Sequence, residues 1–200
     1  MANFISANRF LSLDEMKINA KYIYDYLKGY GFSSSAICGM LGNMQTESTI
    51  NPGIYENLDS SSSTNGLGLV QWTPNTKLKN WVDDNDFNYG YYDMDTQLER
   101  IIYEFANGIQ YYPTDKYPMT ASEFVTSNKS PEYLAQVFLI NYERPLDQTQ
   151  PARSTQARYW YDLLDGTPII DPDNPSGGNT TKKKKGFNFL LFTSKRRLRR

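Results

Sequence analysis

Apolar positions along this chain recur mostly at helical spacing. Met16, Ile18, Ala20, Ile23, Tyr24 and Leu27 follow the capping sequence Ser12-Leu13-Asp14-Glu15, and Gly29 and Gly31 close the segment, predicting a first amphipathic helix. Phe32-Ser33-Ser34-Ser35 caps a second, in which Ile37, Met40, Leu41 and Met44 fall at i, i+3, i+4 and i+7 as one apolar stripe. Asn51-Pro52-Gly53 reads as its stop, because proline disfavours helical backbone in the residue before it. After a polar loop, Gly66-Leu67-Gly68-Leu69-Val70-Gln71-Trp72-Thr73-Pro74 alternates small and apolar residues and reads as a short strand or hairpin. Asn75 to Trp81 predicts a short helix, and the acidic, aromatic stretch 82–92 a loop. Leu98, Ile101, Ile102 and Phe105 mark the inner face of a helix from Asp95 to Asn107. Thr120-Ala121-Ser122-Glu123 and Ser130-Pro131-Glu132 open two more, the second apolar through Leu134, Val137, Phe138 and Ile140. Gln150-Pro151 to Leu164 closes the domain, with Gly166 as its stop. The expected fold is mainly α: six or seven helices around a small β-hairpin, with no internal repeat.

Composition changes sharply after Gly166. Residues 1–166 form the expected domain, 167–181 a linker rich in Pro, Gly, Asn and Asp, and 182–200 a basic and apolar tail. Nine of the 21 basic residues and none of the 22 acidic ones lie in 182–200, so residues 1–181 carry a net charge near −10, hidden behind an overall −1. The tail's Phe187-Asn188-Phe189-Leu190-Leu191-Phe192, flanked by basic runs, fits docking to a partner protein or contact with an anionic membrane, or a short apolar segment guarded by charges. An acidic body and the lack of any reading motif argue against nucleic acid as the partner. No basic start precedes a long apolar core at the N-terminus, so no signal peptide is expected, and no apolar run reaches membrane-spanning length.

The chain has no histidine, which removes Ser-His-Asp and Cys-His catalysis and the usual His-bearing zinc sites; neither a metal nor a cofactor is expected. Cys38 is the single cysteine and reads as a packing residue. Glu47 is the candidate for chemistry. It stands near the end of the apolar second helix, where partial burial raises a carboxyl's pKa toward that of a general acid working near neutrality, as glycosidic bond cleavage requires. Gly39 and Gly42 would let another helix or a sugar chain approach that helix closely.

Glu47-Ser48, then Asn51-Pro52, then Gly66-x-Gly-Leu-x-Gln-Trp-Thr resembles the lysozyme and lytic transglycosylase superfamily. The likeness is nearest to the phage tail lysozymes at the tail-knob tip of small podoviruses of Gram-positive hosts. It covers roughly residues 10 to 165, including Tyr142-Glu143-Arg144-Pro145 and Tyr159-Trp160-Tyr161. The resemblance implies an α+β lysozyme-like fold built around the catalytic helix. It also implies cleavage of the β-1,4 bond between N-acetylmuramic acid and N-acetylglucosamine in peptidoglycan, with Glu47 as proton donor. The second carboxylate is open: Asp59 and Glu56 lie in the loop before the hairpin, Asp83, Asp84 and Asp86 beyond it, and Asp59 serves either in catalysis or in an Asx turn. Hydrolysis and transglycosylation are therefore both open.

Substrate contacts are expected from Gln71, Trp72, Thr73, Tyr142 and Glu143. Gln71 either positions a water or an acetamido group or satisfies turn backbone. Trp72 either stacks on a sugar or plugs the hairpin. Tyr142 either supports Glu47 or meets the glycan. Glu143, with Arg144, is read first as bracing the catalytic helix through salt bridges. The resemblance places the protein in the virion, at the tail tip, made in the host cytoplasm and degrading the wall locally as infection begins. An endolysin released at lysis and a catalytically idle, wall-binding tail component are the other two readings.

Overall fold

The computed structural model describes residues 3–85, 87 and 89–166. The proposed linker and tail, 167–181 and 182–200, lie outside the described residues. The described chain is mainly helical, with α1 (Leu13–Gly29), α2 (Ser34–Ser48), α3 (Thr76–Asp84), α4 (Met94–Asn107), α5 (Ala121–Thr126), α6 (Pro131–Phe138) and α7 (Pro151–Leu164). A 3₁₀ turn, Glu56–Leu58, and a π-helical turn, Leu139–Glu143, complete it.

The caps act as their sequences suggest. Ser12 with Glu15 and Thr120 with Glu123 form reciprocal capping boxes, and Ser33 and Ser130 each accept a backbone N–H of the first turn. The second helix is not the amphipathic element its stripe suggests: it is buried all round from Ser35 to Met44. It runs through the middle of the domain, packed chiefly on α7 and α6 and more lightly on α1. Its two glycines make this possible. A Cβ on Gly39 would stand 2.9 Å from Ala135 N, and one on Gly42 only 2.3 Å from Arg153 O. Any side chain at Gly42 would thus push α7 away from α2, and overpacking of this kind costs about 1–3 kcal/mol. Gly39 and Gly42 serve helix packing.

An aromatic cluster closes the far side. Phe105 of α4 lies within 5.0–6.3 Å, centroid to centroid, of Phe32, Tyr111, Phe124, Phe138 and Tyr142. Cys38 is fully buried within the core, where desolvation pushes its thiol pKa well up, as suits a packing residue.

Three elements differ from expectation. The stretch 82–92 is not all loop, because α3 continues to Asp84 with Trp81 and Val82 buried. The Trp81 ring sits 5.6 Å from that of Tyr103 on α4, which holds this extra turn down. The hairpin is reduced to a single antiparallel bridge, Tyr55 to Leu67, among the described residues. The apolar helix from Pro131 widens into the π turn, carrying Tyr142 and Glu143 toward the cleft described next.

Candidate active site

Glu47 sits on the last turn of α2. Thr49 and Ile50 take left-handed φ angles of 53° and 56°, so the helix ends before Asn51-Pro52 rather than at it. Thr49 N–H returns to Gln45 O (3.1 Å) and Ile50 N–H to Met44 O (3.2 Å). Left-handed backbone strains a β-branched residue, and persists only where its surroundings hold it. They do: Thr49 Oγ1 accepts from Leu11 N–H (3.0 Å), and Asn51 Nδ2 donates to Ala7 O and Arg9 O (both 2.7 Å). Asn51 and Ser48 are therefore the fasteners of this turn, Ser48 Oγ donating toward Leu69 O (2.9 Å).

The Glu47 carboxylate pairs with the buried Arg153 of α7, Nη2 to Oε1 at 2.6 Å, while 22% of its side chain stays open to solvent. Arg153 is itself fixed by Asn43 Oδ1 (3.0 Å) and Gln150 Oε1 (2.7 Å). Asn43 Nδ2 in turn donates to Gly39 O and Ala135 O, tying α2, α6 and α7 together behind the carboxylate.

Glu47 opens onto a cleft of about 440 Å³ whose lining includes Glu56, Gln71, Trp72, Thr73, Tyr142 and Glu143. The 66–74 loop forms one wall; beyond the single bridge at Leu67 it is held by side chains. Buried Gln97 accepts from Leu69 N–H (2.9 Å) and donates to Pro52 O and Tyr91 O (both 2.7 Å). Gly68, at φ 81°, is needed there, since a Cβ would stand 2.5 Å from the Gln97 amide.

All five residues expected to contact substrate therefore meet at one cleft, but their polar atoms point in different directions. Gln71 Nε2 donates to Gly68 O (3.0 Å), the turn-satisfying alternative. Thr73 is exposed on the rim. The Trp72 indole donates inward to the buried Glu104 (3.0 Å), which also accepts from Arg100 Nε (2.8 Å) and the Tyr142 hydroxyl. Burial raises the Glu104 pKa, opposed by the charge of Arg100 and by these hydrogen bonds.

Glu143 has its Oε1 buried without a hydrogen-bond partner. Burial first, then the charge of Glu47, push its pKa well above the usual carboxylate range despite the opposing charge of Arg153. The expected bracing by Glu143 and Arg144 is taken over by Arg153. Arg144 lies in the left-handed region (φ 53°) with its guanidinium 4.7 Å from the Tyr112 ring centroid.

A raised native pKa means that the folded state holds a proton which the unfolded chain gives up above about pH 4.3. Glu143 thus lowers stability progressively as pH rises from there to its native pKa. Replacing it by Gln should leave Tm unchanged at pH 4 and raise it at pH 7, read by calorimetry across that range.

Asp59 is not brought to the cleft lining. Its carboxylate is exposed and accepts from Ser61 N–H (2.9 Å) and Ser61 Oγ (2.6 Å), the Asx-turn alternative, which lowers its pKa. Glu56 does line the cleft and accepts from Gly66 N–H (2.9 Å). Arg153, Gln97 and Glu104 were not singled out by the sequence. A signal existed for Arg153, which shares the inner face of its helix with Ala157, Trp160 and Tyr161 at spacings of four, seven and eight.

The site is thus a partly open carboxylate held at the end of a buried central helix and facing a cleft. The chain belongs to the phage tail lysozyme family, whose profile matches residues 18–164. It is 52% identical over 163 residues to a protein of Bacillus phage B103 named "Morphogenesis protein 1", a match covering 82% of this chain and 44% of that protein. The chain thus spans about half the length of that relative.

Proposed function

We propose that this chain is a peptidoglycan glycosidase that cuts the β-1,4 bond between N-acetylmuramic acid and N-acetylglucosamine, with Glu47 as the general acid. The observation that carries this reading is the placement of Glu47: fixed by Arg153 on one side and open to the cleft on the other. Two of the cleft's three carboxyls work as a pair: burial and the charge of Glu47 both push Glu143 toward its protonated form, because a second negative charge there is disfavoured. When the glycan binds, the proton held by this pair is carried on Glu47, whose oxygens reach the cleft, and passes to the glycosidic oxygen as the C–O bond breaks and oxocarbenium character develops at the sugar. Water then adds to the sugar carbon and its proton returns to a carboxylate, restoring the site.

Glu56 is the carboxylate placed to assist that water, since it lines the cleft where Asp59 does not. Asp59→Asn should accordingly keep near wild-type activity and lose at most about a kcal/mol of stability, since the Asn Oδ1 can still accept from Ser61 N–H. A loss as deep as that of a Glu47 variant would assign Asp59 the catalytic role. Mass spectrometry of muropeptides released from purified walls tests the reaction itself: reducing N-acetylmuramic acid ends are expected. Anhydro-muramyl ends would make the enzyme a lytic transglycosylase.

The same reading places the chain in the virion, at the tail, opening the wall locally as infection begins. The family's phage-tail context supports this site of action over release as an endolysin. Probing gradient-purified particles for the chain tests it: presence is expected, and abundance in the lysate with absence from intact particles would overturn it.

A further inference from the structure

Four aromatic side chains line the cleft: Phe10, Tyr55, Trp72 and Tyr142. Three of them offer no face to a ligand. Tyr55, Trp72 and Tyr142 are only 3%, 5% and 1% exposed, and each has its polar atom engaged inside the protein, with Tyr92, Glu104 and Glu104 respectively. Phe10 is 67% exposed. A bare phenyl ring on a surface is unremarkable by itself. Here the ring belongs to the wall of the cleft, and the backbone on either side of it is fixed.

Arg9 O accepts from Asn51 Nδ2 (2.7 Å) and Leu11 N–H donates to Thr49 Oγ1 (3.0 Å). The Arg9 guanidinium donates to Phe10 O (3.1 Å) and is itself clamped by both oxygens of Glu15 (2.9 and 2.6 Å). Thr49 and Asn51 are the second and fourth residues after Glu47. One tight turn therefore sets both the position of the proton donor and the anchorage of Phe10. A backbone fixed on both sides of the ring lowers the entropy lost when a ligand packs on it.

We propose that Phe10 is a stacking platform for a sugar ring of the β-1,4-linked N-acetylhexosamine strand lying in the cleft, an inference that rests on the glycan reading above. A pyranose in such a strand carries axial C–H groups on its faces and its hydroxyls and acetamido groups around its edge. A phenyl ring without a polar handle packs on the C–H face, leaving the edge groups to polar side chains such as Thr73 and Lys77 along the same cleft. Phe10 thereby does for the glycan what Trp72 and Tyr142, turned inward to Glu104, cannot.

The test uses the full chain carrying Glu47→Gln, so that turnover does not consume the probe. The probe is glycan strands from Gram-positive walls, freed of peptide by an amidase, with binding read by calorimetric titration. Adding Phe10→Ala should weaken binding about 3- to 10-fold, as loss of one ring contact does. Phe10→Trp should bind at least as tightly as the Phe10 protein. Tm should not move with either change, because the ring is in solvent. Equal affinity with Ala and Phe at position 10 would overturn the platform while leaving the glycan reading intact. Failure of the Glu47→Gln chain with Phe10 present to bind the strands would overturn both.

Discussion

Glu47→Gln is expected to lower the rate of wall clearing by a factor on the order of hundreds or more while leaving the domain folded. Gln keeps the size of the side chain and its Oε1 can still accept from Arg153, but it has no proton to give, and general acid catalysis of this kind contributes about 10²–10⁴-fold. Arg153, buried beside it, would be left without a counter-charge by this change. With the Glu47 charge gone, one of the causes raising the Glu143 pKa disappears, so that carboxyl ionises more readily near Arg153. The variant should therefore show the deep loss of rate with a modest change in Tm. Purified variant and wild type compared on a zymogram and in a turbidity assay, with Tm measured alongside, check both halves. A Gln variant that clears walls at close to the wild-type rate would remove Glu47 from its role.

Arg153→Ala is expected to be the most destabilising single change at the site. The Arg153 side chain is 3% exposed and joins Asn43, Gln150 and Glu47, so truncation strips a partner from buried Asn43 and from half-buried Gln150 and leaves a partly buried carboxylate uncompensated. Breaking a buried pair on one side costs about 3–5 kcal/mol. Glu47 is open to water on its cleft side, which argues for the lower end, about 3 kcal/mol, or roughly 6–12 °C in Tm for a domain of this size. Activity should fall as well, since nothing then fixes the Glu47 side chain. Arg153→Lys keeps the charge but lacks the fork that reaches Asn43 and Glu47 together, and should fall between. Calorimetry showing Tm unchanged in the Ala variant would contradict this account of how Glu47 is held.

What could be read from the chain was set by local chemistry. Ser12, Ser33, Thr120 and Ser130 announce helix starts through hydrogen bonds made within three residues, and each forms as expected. Gly39 and Gly42 signalled a close approach, though the pattern could not say whether a helix or a sugar would come near. Glu47 was legible because an ordered set of short motifs surrounds it. The features that escaped depend on distant partners. Arg153 reaches Glu47 across 106 positions of chain. The 66–74 segment alternates like a strand, yet beyond one bridge Gln97 and Ser48 hold it by side-chain bonds and Gly66 to Val70 are all buried, so the alternation marked neither a ladder nor a one-sided face. Trp72 and Tyr142 look like sugar contacts by residue type, and a single buried carboxylate on α4, Glu104, turns their polar ends inward. Phe10 was passed over because an isolated exposed aromatic carries no pattern. Only its neighbours' tethers to Thr49 and Asn51 give it meaning.

The central claim is that the cleft cuts the glycan strand through Glu47. Purified Gram-positive sacculi incubated with wild type or Glu47→Gln, then reduced with borohydride and analysed by mass spectrometry, test it most directly. The account predicts new reduced N-acetylmuramic acid termini that grow with time for the wild type and stay at background for the variant. Equal yields of those termini from both proteins, or wall fragments released with their glycan strands uncut, would contradict it.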